Sequence, residues 1–312
     1  MLAAVPQSAP PLLGEALALG AAMSWAIAVI LFKRSEAVTP QGLNLFKNVV
    51  AIALLGVTLP LLGQGLQWQR PALDWGRLAL SGVLGIAVAD TLFFMALRRL
   101  GAGRLAIVEC VYAPCVVTLA VLVLGERPGP GFAAGAVLVV AGIAIVSTER
   151  MAIVAAGREL ERRDRFLGTA FGILGVLSMA VGVMLAKPIV ERDPLAEVTL
   201  VRLLAGVAGQ AVWILLASDR SALRVFRPAP VWRTLLPAAV LGSYVSMLMW
   251  LGGFKWADAS VAAVLNQMTA VFILVLGRVA LGETLSVRRA TGAAVAIAGA
   301  ILVVALRARG GT

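Results

Sequence analysis

The sequence predicts an all-α polytopic membrane protein whose ten transmembrane helices form two inverted-topology five-helix repeats. Three observations predict it. Of 312 residues, 61% are hydrophobic and 14% charged, with 32 Gly and a mean hydropathy of +0.95, which excludes an ordinary water-soluble domain. The apolar stretches divide into ten segments, each near the roughly 20 residues that a helix needs to cross a bilayer. Leu124-Gly125-Glu126 recurs as Leu281-Gly282-Glu283, 157 residues later, and at the same offset Gly135 meets Gly292 and Ala141-Gly142 meets Ala298-Gly299.

In chain order, residues 1–11, with Pro6, Pro10 and Pro11, lack the basic start and small-residue cleavage pattern of a signal peptide and read as a tail. The first repeat, 12–148, is expected to hold helices over 12–33, 41–62, 76–97, 102–124 and 130–148. Residues 149–165, which include Arg150, Arg158, Arg162, Arg163 and Arg165, interrupt the apolar run and read as a basic connecting loop. The second repeat, 166–306, is expected to hold helices over 166–187, 195–217, 233–254, 258–280 and 288–306, with 307–312 as a C-terminal tail. Fainter matches pair Lys33 with Lys187 and Lys47 with Arg202, at an offset that drifts to 154 or 155 as loop insertions require. Five is odd, so the second copy enters the bilayer from the opposite side. Inverted repeats of this kind are built around a central binding site in secondary transporters.

Composition removes most other chemistry. The chain has no histidine, hence no Ser-His-Asp triad, His-ligated zinc or imidazole proton shuttle. Cys110 and Cys115 lie five apart in one apolar segment, matching neither a CxxC redox pair nor a metal site, and read as packing residues. No cofactor, metal or nucleic acid is expected, and the chain does not read as an enzyme. The formal charge of +11 is a matter of loop topology. If side A holds both termini, eight Lys and Arg flank the helices on side A, among them Arg70, Arg192 and Lys255, against seventeen on side B, with Lys47 and Arg202 set aside as intramembrane. The positive-inside rule then places side B in the cytoplasm. Trp68, Trp75, Trp232 and Trp256 fall at the ends of spans, as interfacial aromatic residues do.

Ionisable side chains within a span cost about 2.5–3.5 kcal/mol each and need a partner, a wet cavity or a route to the interface. Lys47, Asp90 and Glu109 all lie near one level, roughly 11 Å from side B at 1.5 Å per residue. They form either a structural ion pair or, because two acids share one base, a pair of which one acid is a proton site. Arg202 falls toward side A with no deep acid in its own half, so it either snorkels to the interface or holds the carboxylate of a solute. Asn266 and Gln267 occupy the position in helix 9 that Glu109 occupies in helix 4, with Tyr112 and Thr269 one turn on, so helices 4 and 9 carry matching polar stripes. Trp25 and Tyr244 are candidate pocket walls. Pro114 permits a kink in helix 4 where helix 9 has Val271, which predicts two mechanically unequal halves. Glu126 and Glu283 read as structural, each placed to meet the positive end of the dipole of the helix that follows it, helix 5 or helix 10. The glycines of helices 5 and 10 offer smooth surfaces for close contact, within the chain or in a homodimer.

Ser24-Trp25 in helix 1, a basic residue early in helices 2 and 7 (Lys47, Arg202), and Leu-Gly-Glu at the ends of helices 4 and 9 resemble the ten-helix EamA proteins of the drug/metabolite transporter superfamily. The resemblance covers nearly the whole chain. It implies a multi-pass protein of the cell (inner) membrane that transports, often exports, small metabolites or amino acids by alternating access. It also implies cytoplasmic termini, opposite to the charge count. Proton coupling through Asp90 or Glu109 and uncoupled facilitation both remain open. An intramembrane enzyme and a non-transporting scaffold subunit are the readings from other classes.

Overall fold

The computed structural model describes residues 10, 12–33, 38–100, 102–155, 162–216, 220–227, 230–281 and 286–308, and among these it is all-helical. Ten helices are long and apolar enough to cross a membrane: Leu13–Phe32, Gln41–Leu61, Ala72–Phe93, Ile107–Leu124, Pro130–Thr148, Arg162–Arg192, Leu195–Leu216, Trp232–Trp256, Ala259–Val279 and Val287–Leu306, here helices 1 to 10. Local chemistry sets several ends. Thr39 caps helix 2, accepting the Gly42 N–H at 3.2 Å, with Pro40 at the first helical position. Gly125 ends helix 4 at φ 71°, a left-handed conformation that glycine adopts without strain.

The stretch 149–165 corrects the expected loop. The helix through span 5 runs on to Ala155 and helix 6 opens at Arg162, so most of the basic connection is helical. Hydropathy marks where lipid stops, not where a helix stops. Glu, Arg, Met and Ala propagate a helix readily in water.

Contacts between the halves come in matched pairs, as duplication with inversion requires. Helix 3 packs on helix 6 and helix 8 on helix 1; helix 4 packs on helix 6 and helix 9 on helix 1; helices 2 and 7, 4 and 9, and 5 and 10 meet their own counterparts. The symmetry extends to two of the irregularities, although helix 4 also ends in a π-helix over Ala120–Leu124 whose counterpart in helix 9 stays α-helical. Helix 3 widens to a π-helix over Val83–Val88 and helix 8 over Val240–Val245, 157 residues later. Helix 4 is interrupted at Cys110-Val111 and helix 9 at Gln267-Met268, again 157 apart. The second interruption has no proline, so the inequality predicted from Pro114 does not hold at this position: both helices break.

Small residues carry the packing. Ala18, Ala22, Ala113, Ala120, Ala180, Ala262, Ala263 and Ala296 fill the largest buried cluster, while Leu122, Val137, Leu215 and Ile301 point outward, as lipid rather than water would allow. Helices 5 and 10 touch backbone to backbone: a methyl at Gly142 would stand 2.5 Å from the Gly292 oxygen, and one at Gly299 2.6 Å from the Gly135 oxygen. These glycines therefore serve contact within one chain.

Candidate solute site

One turn of helix 2 places Asn44, Lys47 and Asn48 on a single buried face. Lys47 Nζ lies 3.3 Å from Asp90 Oδ2 on helix 3 and donates to Asn48 Oδ1 at 3.2 Å. Asn48 donates to Asn44 Oδ1 at 3.2 Å, and Ser243 of helix 8 donates to Asn48 Oδ1 at 3.4 Å. The Lys47 ammonium stands 5.7 Å from the centre of the Trp25 ring. Lys47 and Asp90 thus meet, and Glu109 is not part of this group. Asn44, Asn48 and Ser243 were not among the expected residues, although the spacing of the two asparagines around Lys47 puts all three on one face. Tyr244, three turns from the end of helix 8, bonds Thr58 Oγ1 at 2.7 Å and packs, with Met247 and Leu248, against a buried cluster that includes Leu55 of helix 2 and Leu203 of helix 7.

Arg202 is 1% exposed and does not reach the interface. Its Nε donates to Ser81 Oγ of helix 3 at 2.8 Å, and Ser81 donates in turn to the Gly182 carbonyl of helix 6. The guanidinium carbon lies 5.5 Å from the centre of the Trp250 ring, and Nη2 lies close to Gly85, where a methyl would approach it to 3.3 Å. Among the described residues Nη1 is buried without a partner, while the Tyr112 hydroxyl, within electrostatic reach of this guanidinium, faces the Trp250 side chain. Among the described residues no carboxylate pairs with Arg202.

Helices 4 and 9 join at their breaks. Gln267 Nε2 donates to the backbone oxygen of Glu109 at 3.0 Å. Asn266 Nδ2 is buried and unpartnered, while its backbone oxygen accepts Thr269 Oγ1 at 2.8 Å. The Glu109 side chain is half-buried and forms no hydrogen bond or ion pair with any described residue.

A family model described as the EamA-like transporter family matches residues 12–148 and 166–305, one match per repeat. The chain belongs to the EamA-like transporter family. A solved structure titled "Crystal structure of protein" is similar over 97% of this chain and 100% of that one, with a TM-score of 0.81 and 19% identity, a likeness of fold. No curated protein matches.

In this EamA-like transporter, Glu126 corrects the expectation drawn for it. Its carboxylate does not serve helix 5, the next helix in sequence. It accepts the N–H groups of Ala259 at 2.6 Å and Ser260 at 3.1 Å, and the Ser260 hydroxyl at 2.6 Å, at the start of helix 9 in the other repeat. Asp258, at the cap position there, makes no capping bond with its side chain. Glu283 lies outside the described residues.

Side A of the transporter carries a charged cluster that the sequence reading did not single out. Arg70 donates to Asp193 Oδ2 at 3.0 Å and Glu197 Oε2 at 2.8 Å, and lies 5.0 Å from the centre of the Trp75 ring. Arg192 donates to Asp74 Oδ2 at 2.7 Å and Asp193 Oδ1 at 2.8 Å. Burial alone would raise the Asp193 carboxyl, but hydrogen bonds from Arg192 and Arg70 outweigh it and hold the group below the usual carboxylate value. Lys187 donates to the Phe254 and Ala257 carbonyls, at 2.8 and 3.1 Å, and Lys255 to the Asp193 carbonyl at 2.9 Å, so the ends of helices 6 and 8 are laced together. Among the described residues no group of three or more His, Cys, Asp or Glu is placed to hold a metal ion.

Proposed function

We propose that this EamA-like transporter exports small carboxylate-bearing solutes, amino acids or similar zwitterions and anions, across the cell (inner) membrane by alternating access, with Arg202 holding the carboxylate. One observation carries the reading: a guanidinium buried within a membrane-spanning helix, fixed along one edge by Ser81, with a free N–H and no acid beside it among the described residues. A buried charge without its counter-charge is costly, and the planar fork of arginine fits a carboxylate at two points. Asn266 Nδ2, buried and unpartnered among the described residues, and the buried Tyr112 Oη supply further polar atoms on helices 9 and 4 for the remainder of the solute. The matched π-helices of helices 3 and 8 and the matched breaks of helices 4 and 9 are natural points of flexure for alternating access. The bound state of that cycle is one in which the solute supplies the negative charge that the protein withholds.

Counterflow in proteoliposomes tests this. Wild-type protein should exchange a radiolabelled amino-acid pool against the same unlabelled solutes, unmodified, and should not exchange the corresponding amines that lack a carboxylate. Arg202→Ala should lower the exchange at least about tenfold, since unpairing a buried charge pair costs about 2–5 kcal/mol. Equal exchange by a folded Arg202→Ala variant and the wild type overturns the assignment.

A further inference from the structure

We propose that Glu109 is the proton-carrying group that couples transport to a pH gradient, and that Lys47–Asp90 is a fixed ion pair outside the coupling step. The proposal rests on the transport reading above and adds the coupling ion and its site. The sequence supplies two intramembrane acids and one base on neighbouring helices, and the structure divides them unequally. Asp90 is bound to Lys47, which is itself held by Asn48. Glu109 receives nothing: its carboxyl is half-buried, unpaired and unbonded among the described residues, while its backbone oxygen is taken by Gln267.

Among the described residues no ion pair reaches Glu109 from any packed element. On its own helix the adjacent ionisable group is the Cys110 thiol, with Arg104 five residues toward side B. Helix 9 presents the neutral amides Asn266 and Gln267. Helix 6 has no ionisable residue between Arg165 and Lys187, and helix 5 none between Pro130 and Thr148. Among the described side chains of helix 3, Asp90 is spent on Lys47 and Arg99 on Asp164. An ionised carboxylate in apolar surroundings needs a compensating charge or donors, and a proton removes that need without any protein partner. The location suits coupling. Glu109 is the last residue before the break in helix 4, and Tyr112, the first residue after it, stands within electrostatic reach of Arg202. A change of charge at Glu109 and a solute at Arg202 therefore act on the two sides of one flexible joint.

Two measurements test this, one of which needs no variant. Wild-type protein in detergent is treated with dicyclohexylcarbodiimide, which modifies protonated carboxyls in apolar surroundings, and digested for mass spectrometry. The adduct should fall on Glu109, decline as the pH is raised, and be absent from Asp90; an adduct on Asp90 with Glu109 unmodified overturns the proposal. In proteoliposomes, a gradient of one pH unit should drive wild-type accumulation of the labelled amino-acid pool toward a ratio of about ten for one proton per solute. Glu109→Gln should bring that ratio to about one at any gradient, and Glu109→Asp should restore a dependence on the gradient. Wild-type counterflow that ignores the pH gradient, or a Glu109→Gln ratio equal to the wild type, overturns the coupling role and leaves the transport reading standing. Absent wild-type counterflow removes the transport reading itself.

Discussion

The Glu126 carboxylate, at the end of helix 4, holds the Ser260 hydroxyl at the start of helix 9 at 2.6 Å and caps the two backbone N–H groups beside it. The bond joins the two repeats, and it does so at the helix terminus whose own cap residue, Asp258, leaves the N–H groups open. Glu126→Ala should destabilise the folded protein by about 1–3 kcal/mol, the cost of buried donors left without an acceptor. Ser260→Ala should cost less, because the backbone donors keep their partner. Thermal unfolding in detergent, followed by the fluorescence of a thiol or tryptophan probe, compares the two. An Glu126→Ala midpoint at or above that of Ser260→Ala contradicts the capping role.

Lys47 and Asp90 give a second test, because a buried ion pair is weak evidence for stability but its rupture is expensive. Lys47→Met strands a carboxylate and should destabilise by about 3–5 kcal/mol, whereas the double variant Lys47→Met, Asp90→Leu should recover most of the loss. The non-additivity, measured by a double-mutant cycle, is the signature of direct contact. Additive losses would mean that the two side chains do not meet in the membrane-embedded protein.

What the sequence reveals of this fold, and what it hides, follows from the range of each interaction. The ten spans are legible because transfer into lipid is a property of each segment by itself. The duplication is legible because Leu-Gly-Glu and the helix 5 and helix 10 glycines keep one offset. The π-helices at Val83–Val88 and Val240–Val245 share an opening Val-Leu-Gly at the repeat offset, but that triplet does not announce a widened turn, and the break in helix 9 has no proline to announce it. Lys47, Asp90 and Arg202 stand out as charges in apolar runs, but only packing shows that the first two meet and the third stays apart. Glu126 is recognisable as a capping residue, yet the helix it caps lies 133 residues away in sequence, and proximity along the chain points to the wrong one. Arg70, Asp193 and Glu197 look like ordinary flanking charges until two loops and a helix end are folded together.

Helices 5 and 10 should be the least tolerant of added volume. At Gly142 a methyl would sit 2.5 Å from both the Ala296 nitrogen and the Gly292 oxygen, and backbone atoms cannot swing aside as a long side chain can. Gly142→Ala should cost about 1–3 kcal/mol by forcing the helices apart. Gly56, with open space around it, should accept alanine with little change and serves as the control. Chemical denaturation of both variants in mixed micelles ranks them; a Gly142→Ala protein as stable as Gly56→Ala would mean that the two helices are not in close contact.

Asp193 makes the side-A cluster pH-dependent with a definite sign. Its folded-state value is lowered by Arg192 and Arg70 against the opposing effect of burial, so the unfolded chain binds its proton more readily than the folded one. The resulting stabilisation is complete above the unfolded aspartate value of about 3.9 and disappears as the pH falls through the lower folded value. Wild-type protein should therefore lose unfolding midpoint steadily below about pH 4. Asp193→Asn should start from a lower midpoint at pH 7, since Arg70 and Arg192 each lose a charged acceptor, and should show a shallower decline over the acid range. Parallel acid profiles for the two proteins, measured at equal ionic strength to hold screening constant, would show that Asp193 is not the residue through which these arginines fasten the connection between helices 6 and 7 to that between helices 2 and 3.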